Sequence, residues 1–318
     1  MHFPSYQHIL PLVVLSAHTH ALSGWPAGGA LVTGNAGLFD RSTWEANLAS
    51  PNATGGVSIT GYDITQRWPG QEVSGWTLSL NVSRDIPDSE RQDSSSSNNS
   101  GQAYTGTSIF LRGPANVAAD FAGNASATEE TTWKICVVFI PNGPQEDGDA
   151  SGNGTCAGAF LSQQCVDDLQ QAYADKFASD QDCYGTPPST PSSCGDVVNT
   201  ANFSAQQFPL DSSNGTEIYV TASDSHAPGD AAAFANATGK VWPVLTIWGW
   251  NLRAGAPANS TPTTQLACIR AADEVAGGSG SGSGSGGGTG SGAGRTVGLS
   301  GSEGWALVMA CLAVVFLL

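Results

Sequence analysis

The sequence predicts a mainly β fold, a β-sandwich stapled by disulfides and carrying one or two short helices. Three observations lead there. Apolar and polar residues alternate with period two in several short runs, Gly, Asn and Pro punctuate those runs, and six cysteines lie between the two apolar ends of the chain. Strands at Val57–Tyr62 and Trp76–Ser83 follow from the alternation. In the second, Trp76, Leu78, Leu80 and Val82 face one way and Thr77, Ser79, Asn81 and Ser83 the other. Ser108–Arg112 is the next strand. Trp133–Ile140 is apolar on both faces, as a central strand requires, and Glu217–Thr221 and Val244–Leu252 complete the set. One helix interrupts them. Cys165, Leu169, Ala172 and Tyr173 recur at helical spacing behind Ser162, a good N-cap, while Gln164, Asp167, Asp168 and Gln171 form a polar face. The pattern reads as a crossover helix clamped to the sheet through Cys165.

The remaining segments lack such patterns. Arg84 to Gln102 reads as a polar loop with Ile86 as its one core residue, and residues 277–294 are nearly pure Gly and Ser, which behave as flexible coil. At the N-terminal side, Ile9, Leu10, Leu12, Val13, Val14 and Leu15 make an apolar run shorter than the roughly 20 residues a spanning helix needs. It fits the core of a secretory signal over residues 1–23, with cleavage after Ser23 as first choice and after Ala21 as second. The run Trp305 to Leu318 is again short and has no Lys or Arg after it. Small residues Gly292, Ala293 and Gly294 and a polar spacer precede it, which is the order of a glycosylphosphatidylinositol (GPI) attachment signal over residues 295–318. The expected organisation is signal peptide, ectodomain over residues 24–276, stalk over 277–294 and a removable tail. A single-pass tail anchor is the alternative.

Composition narrows function by exclusion. The formal net charge is −16, with 27 acidic against 11 basic residues. A nucleic-acid partner needs a basic footprint and is not expected. The cysteines Cys136, Cys156, Cys165, Cys183, Cys194 and Cys268 form an even set, and Cys311 falls in the tail. In an oxidising compartment they make three disulfides out of about 15 connectivities. The spacing suggests local loops Cys156–Cys165 and Cys183–Cys194, with Cys136–Cys268 joining distant strands. Asn-x-Ser/Thr sequons occur at Asn52, Asn81, Asn98, Asn124, Asn153, Asn202, Asn214, Asn236 and Asn259, and Asn81 falls on the polar face of its strand.

No catalytic motif stands out. Ser223, Asp224, Ser225 and His226 are adjacent, but neighbours in one loop cannot adopt triad geometry, and no G-x-S-x-G occurs. Cleavage after Ala17 would expose His18, with His20 near it, as a copper chelate, yet Leu15 fits that cleavage poorly. Asp147 to Gly152 imitates the start of a calcium loop but has Gly158 where a bidentate Glu belongs. Asp63, Glu72, Asp120 and Glu217 lie in or near strands, with no linear sign that any two meet as a hydrolytic pair. No metal and no cofactor is expected. The aromatic residues say more. Trp248 and Trp250 lie two apart on one strand face about Gly249, a spacing that can present coplanar rings to sugars or fill the sandwich core, and Trp68 sits in a turn.

The order of signal, cysteine-containing β-rich ectodomain, Gly/Ser stalk and apolar tail resembles that of fungal GPI-anchored secreted glycoproteins. The segment Trp133 to Phe139, followed by Cys156, Phe160, Leu161, Cys165, Asp167, Asp168 and Leu169, is similar to uncharacterised fungal secreted proteins. The resemblance implies no activity. The expected protein is therefore a GPI-anchored glycoprotein on the outer face of the plasma membrane or in the cell wall. It would be structural or adhesive, meet membrane only through its lipid, and touch wall polysaccharide weakly through Trp248, Trp250 and Trp68. A secreted carbohydrate-active enzyme is the alternative.

Overall fold

Each alternating run becomes a strand, and the side chains of the two faces decide what packs on either side. The computed structural model describes residues 30–92, 101–115, 117, 132–140, 154–158, 161–208, 215–251, 260–271 and 273–274. Within them, β1 (Leu31–Gly34), β2 (Ala53–Tyr62), β3 (Glu72–Pro87), β4 (Ala103–Arg112), β5 (Trp133–Phe139), β6 (Ser204–Gln207), β7 (Thr216–Ala222), β8 (Trp242–Trp250), β9 (Thr263–Ile269) and β10 (Asp273–Glu274) build two sheets. One has the order β1-β7-β4-β3-β2-β10 and the other β6-β5-β8-β9. All neighbours are antiparallel except β1 and β7. This is the expected disulfide-stapled, sandwich-like β fold.

The inter-sheet core follows from parity. Trp76, Leu78, Leu80 and Val82 of β3 and Ile109 and Leu111 of β4 meet Trp133, Ile135, Val137 and Phe139 of β5 and Trp242, Val244 and Trp248 of β8. The other face of β5, Cys136 and Val138, is buried too, beneath a helix. That is why Trp133–Phe139 is apolar on both faces.

Three α-helices occur among the described residues, one more than expected: α1 (Arg41–Leu48), α2 (Gln163–Asp180) and α3 (Ala231–Gly239). Asp40 caps α1 by accepting from the Thr43 amide at 2.9 Å, and Asp230 caps α3 by accepting from the Ala232 and Ala233 amides. The Ser162 hydroxyl accepts from the Cys165 amide at 3.1 Å, as expected of the α2 cap. The α2 residues Leu169, Tyr173 and Phe177 lie over the outer face of the β5–β8 sheet. A Cβ on Gly249 would come within 2.2 Å of the Phe177 ring, so glycine there lets the helix approach β8. On the far side, α1 sets Trp44 and Leu48 against the outer face of β3, β4 and β7. Gly106 gives that ring its room, since a Cβ would lie 2.9 Å from Trp44.

Three expectations need correction. All six cysteines pair, but as Cys136–Cys183, Cys156–Cys268 and Cys165–Cys194. The proposed local loops fail because α2 and the turns after it double back over the sheet, bringing residues far apart in sequence side by side. All three bridges lie in the layer between α2 and the β5–β8 sheet. Helix α2 is therefore not a crossover clamped through Cys165. It connects the adjacent antiparallel strands β5 and β6, and Cys165 is tied to the 3-10 turn Ser192–Cys194 that follows. The loop expected from Arg84 also begins later, because β3 continues to Pro87. Beyond it Asp88, 1% exposed, accepts from Arg91 Nη1 at 3.0 Å and from the Tyr104 hydroxyl at 3.1 Å. No helix among the described residues is long and apolar enough to cross a membrane.

Candidate functional site

The aromatic residues go inward. Trp248 and Trp250 are 1% and 3% exposed, so the sugar-stacking strip expected of them is absent. Trp248 packs against Trp76 with ring centroids 4.7 Å apart and lies within reach of Tyr62 and Trp133. Trp250, at the end of β8, packs between Trp68 at 4.8 Å and Phe177 at 5.4 Å. The reason is architectural: one sheet covers Trp248, while α2 and the loop carrying Trp68 close over Trp250. Trp68 does lie in the expected turn and is half-buried, resting on Trp133 and Trp250.

The adjacent Ser223, Asp224 and His226 serve structure. His226 Nδ1 lies 3.0 Å from the Ala227 carbonyl, which can only accept, so in the neutral ring Nε2 accepts from the Thr105 hydroxyl at 3.0 Å. Ser223 Oγ accepts from the Thr105 amide and donates to the Asp224 carbonyl, and Asp224 receives the Asn35 amide. Among the other acids, Asp63 organises the turn before Trp68, accepting from the Thr65 amide and hydroxyl and from Gln66 Nε2. Glu72 is exposed at the start of β3. Asp120, the calcium-like turn at 147–152, His18 and His20 lie outside the described residues, as do Asn98, Asn124, Asn153, Asn214, Asn259, the signal, the stalk and Gly292 to Gly294. No group of three metal-ligating side chains occurs among the described residues.

Glu217 is the acid that the fold makes unusual. Strand β7 carries a register irregularity against β4 between Ile109 and Phe110, where Ile109 pairs with Tyr219 and Phe110 with Glu217. Ile218 and Tyr219 both enter the inter-sheet core, and Glu217 emerges on the outer face with Val220. A bulge re-aims a side chain in this way. Glu217 is 8% exposed, and its buried Oε2 has no hydrogen-bond partner among the described residues. Burial pushes its carboxyl pKa up. Hydrogen bonds from Ser108 and Trp44 and the charge of Arg41 oppose that, while Glu45 adds to it.

Around Glu217 lies a groove of about 370 Å³ whose walls include Arg41, Glu45 and Leu48 of α1 and Asn81, Phe110 and Arg112 of the sheet. Ligand pockets start near roughly 300 Å³. Arg41 pairs with Glu45 at 2.6 Å across one turn of α1, and the Arg112 guanidinium lies 5.6 Å from the Phe110 ring centroid. The groove thus offers a largely buried carboxyl, two guanidiniums, a second carboxylate and an aromatic surface, which suits a polyhydroxy ligand. Of these, Glu217 was visible in the sequence as a strand acid. Arg41, Glu45, Phe110 and Arg112 were missed, although the Asp40 cap and the Arg41/Glu45 spacing signal the short helix that places two of them.

A second cavity, of about 170 Å³, lies between α2 and the segment Cys183–Pro188. Tyr173 lines it, its buried hydroxyl has no hydrogen-bond partner among the described residues, and burial raises that group's pKa far above its ordinary value. Tyr173 stacks on Phe203 at 6.2 Å.

The described sequons differ in setting. Asn202 and Asn236 are exposed, whereas Asn52 and Asn81 are half-buried. Asn52 Oδ1 accepts from the Arg84 amide at 2.8 Å, and Asn81 Nδ2 faces the Leu48 carbonyl at 3.4 Å. Compared with known proteins, the chain matches no family model, no curated protein and no solved structure.

Proposed function

We propose that this chain is an exported, GPI-held glycoprotein of the cell surface or wall, whose folded domain acts as a rigid, glycan-bearing structural element. The observation that carries the reading is the pairing of all six ectodomain cysteines into three buried disulfides, which is the habit of proteins folded in oxidising compartments. The sequons at Asn52, Asn81, Asn202 and Asn236 and the apolar runs at 9–15 and 305–318 agree with it. Of the three tryptophans considered for polysaccharide contact, Trp68 alone is left near the surface, so such contact would be weak.

A second reading, a secreted carbohydrate-active enzyme, is favoured by one feature, the buried Glu217 beside Glu45 and Arg41 in an open groove. One experiment separates the two. The secreted ectodomain is incubated with insoluble β-glucan, chitin and mannan, and both retention and released soluble sugar are followed. The structural reading expects weak retention or none, and no released sugar. Sugar released by the wild type and lost in Glu217→Gln would establish the enzyme instead.

A further inference from the structure

We propose that the groove beside Glu217 is the seat of the chain's own N-linked glycan on Asn81, with the innermost N-acetylhexosamine lying against Phe110 and Arg112. The inference rests on the export reading above, because only an exported chain receives this glycan.

The sheet sets the geometry. Asn81, Phe110 and Glu217 lie on the outer face of three successive strands, β3, β4 and β7. Asn81 pairs with Ser108, Ser79 with Phe110 and Phe110 with Glu217, so Phe110 is the diagonal neighbour of Asn81 and the direct neighbour of Glu217. With strands about 4.8 Å apart, Glu217 lies two strand spacings from Asn81, on the order of 10 Å and within reach of the first sugars of a chain attached there.

Asn81 itself lines the groove, so a sugar on its side chain begins inside it. Attachment replaces one of the two hydrogens on Nδ2. The other remains to donate to the Leu48 carbonyl, so the local contact to α1 survives modification.

The chemistry matches on both sides. An aromatic ring takes the C–H face of a pyranose, and an arginine donates to the acetamide oxygen. Phe110 and Arg112 are placed together for this at the same end of the groove. Among the described sequons, Asn81 is the one that lines this groove, whereas Asn202 and Asn236 stand on exposed surface. They serve as internal controls.

The test uses the full chain made in a secreting eukaryotic cell, with occupancy of each sequon read by peptide mass spectrometry. Native protein is then treated with an endoglycosidase that cuts between the two innermost sugars, and the rate is followed site by site. The expected result is a glycan on Asn81 that is cut about tenfold more slowly than those on Asn202 and Asn236, the protection given by roughly 1.4 kcal/mol of seating. The difference should vanish on denaturation. In Phe110→Leu and Arg112→Ala the Asn81 rate should rise toward the control rates without change at Asn202. Glycans on Asn202 and Asn236 with Asn81 bare would overturn the seat and leave the export reading standing. So would equal rates at all three sites in the native protein. A secreting cell that leaves every sequon bare would overturn the export reading itself, and the seat with it.

Discussion

Replacing Cys156 and Cys268 together with serine removes the bridge of widest span, 112 residues, against 47 for Cys136–Cys183 and 29 for Cys165–Cys194. The chain-entropy relation gives about 4.8 kcal/mol for the first loop, about 4.1 for the second and about 3.6 for the third at 25 °C. The bridge also holds the segment 154–158 to β9, where the remaining ties are the Cys268 amide donating to the Gly154 carbonyl at 3.0 Å and the bridge between Thr155 and Ala267. In a domain of about 250 residues each kcal/mol moves Tm by roughly 2–4 °C, so the double serine variant should melt about 10–20 °C lower. Thermal and urea unfolding of the three double variants, each with its other two bridges intact, measures this. A Cys165/Cys194 variant less stable than the Cys156/Cys268 variant would refute the loop-length reasoning. Non-reducing peptide maps joining Cys156 to Cys165 would refute the pairing on which it rests.

Three further outcomes follow from packing and charge. Trp248→Ala should cost about 3–5 kcal/mol in urea unfolding through the cavity it leaves against Trp76, and should leave any polysaccharide retention of the folded fraction unchanged. Selective loss of retention at full stability would return Trp248 to the surface. Burial holds the Glu217 pKa above its ordinary value, against Arg41 and with Glu45 from α1, with Arg112 of β4 lining the same groove. The folded state therefore keeps a proton that the unfolded chain releases, and the stability Glu217 contributes falls as pH rises from about 4 through its folded pKa. Glu217→Gln should remove that decline, making the variant the more stable form at neutral pH, and urea titrations at several pH values check it. Ser162→Ala should cost about 1 kcal/mol by leaving the Cys165 amide uncapped, read from the urea midpoint.

Strands were legible where burial on one or both faces writes itself into local order. Trp76 to Val82 alternates because one face meets the second sheet, and Ile135 to Phe139 is continuously apolar because α2 covers the other face. Ser162 and the 165–173 periodicity gave away α2 for the same local reason. Disulfide pairing was not legible, because it depends on where α2 and its turns lie on the sheet. The exposure of Trp248 and Trp250 was hidden because a Trp-Gly-Trp strand reads alike whether its rings meet solvent or a covering layer. In the structure Gly249 makes room for Phe177. Glu217 belongs to a third class. Simple alternation from Val220 would have turned it inward, and only the irregularity opposite Ile109 and Phe110 sends it into the groove. The groove's helical wall comes from α1, which is only eight residues long and has a weak apolar pattern.

The proposed lipid attachment of an exported, disulfide-bonded glycoprotein is open to a single measurement. Treating intact cells that make the full chain with a phospholipase specific for phosphatidylinositol anchors tests it most directly, with the supernatant examined for the protein, its glycans and its free thiols. The expected result is release of a protein that carries N-linked glycans and has no reactive thiol. Protein retained inside the cells, bare of glycan and with its cysteines free to react, would contradict it.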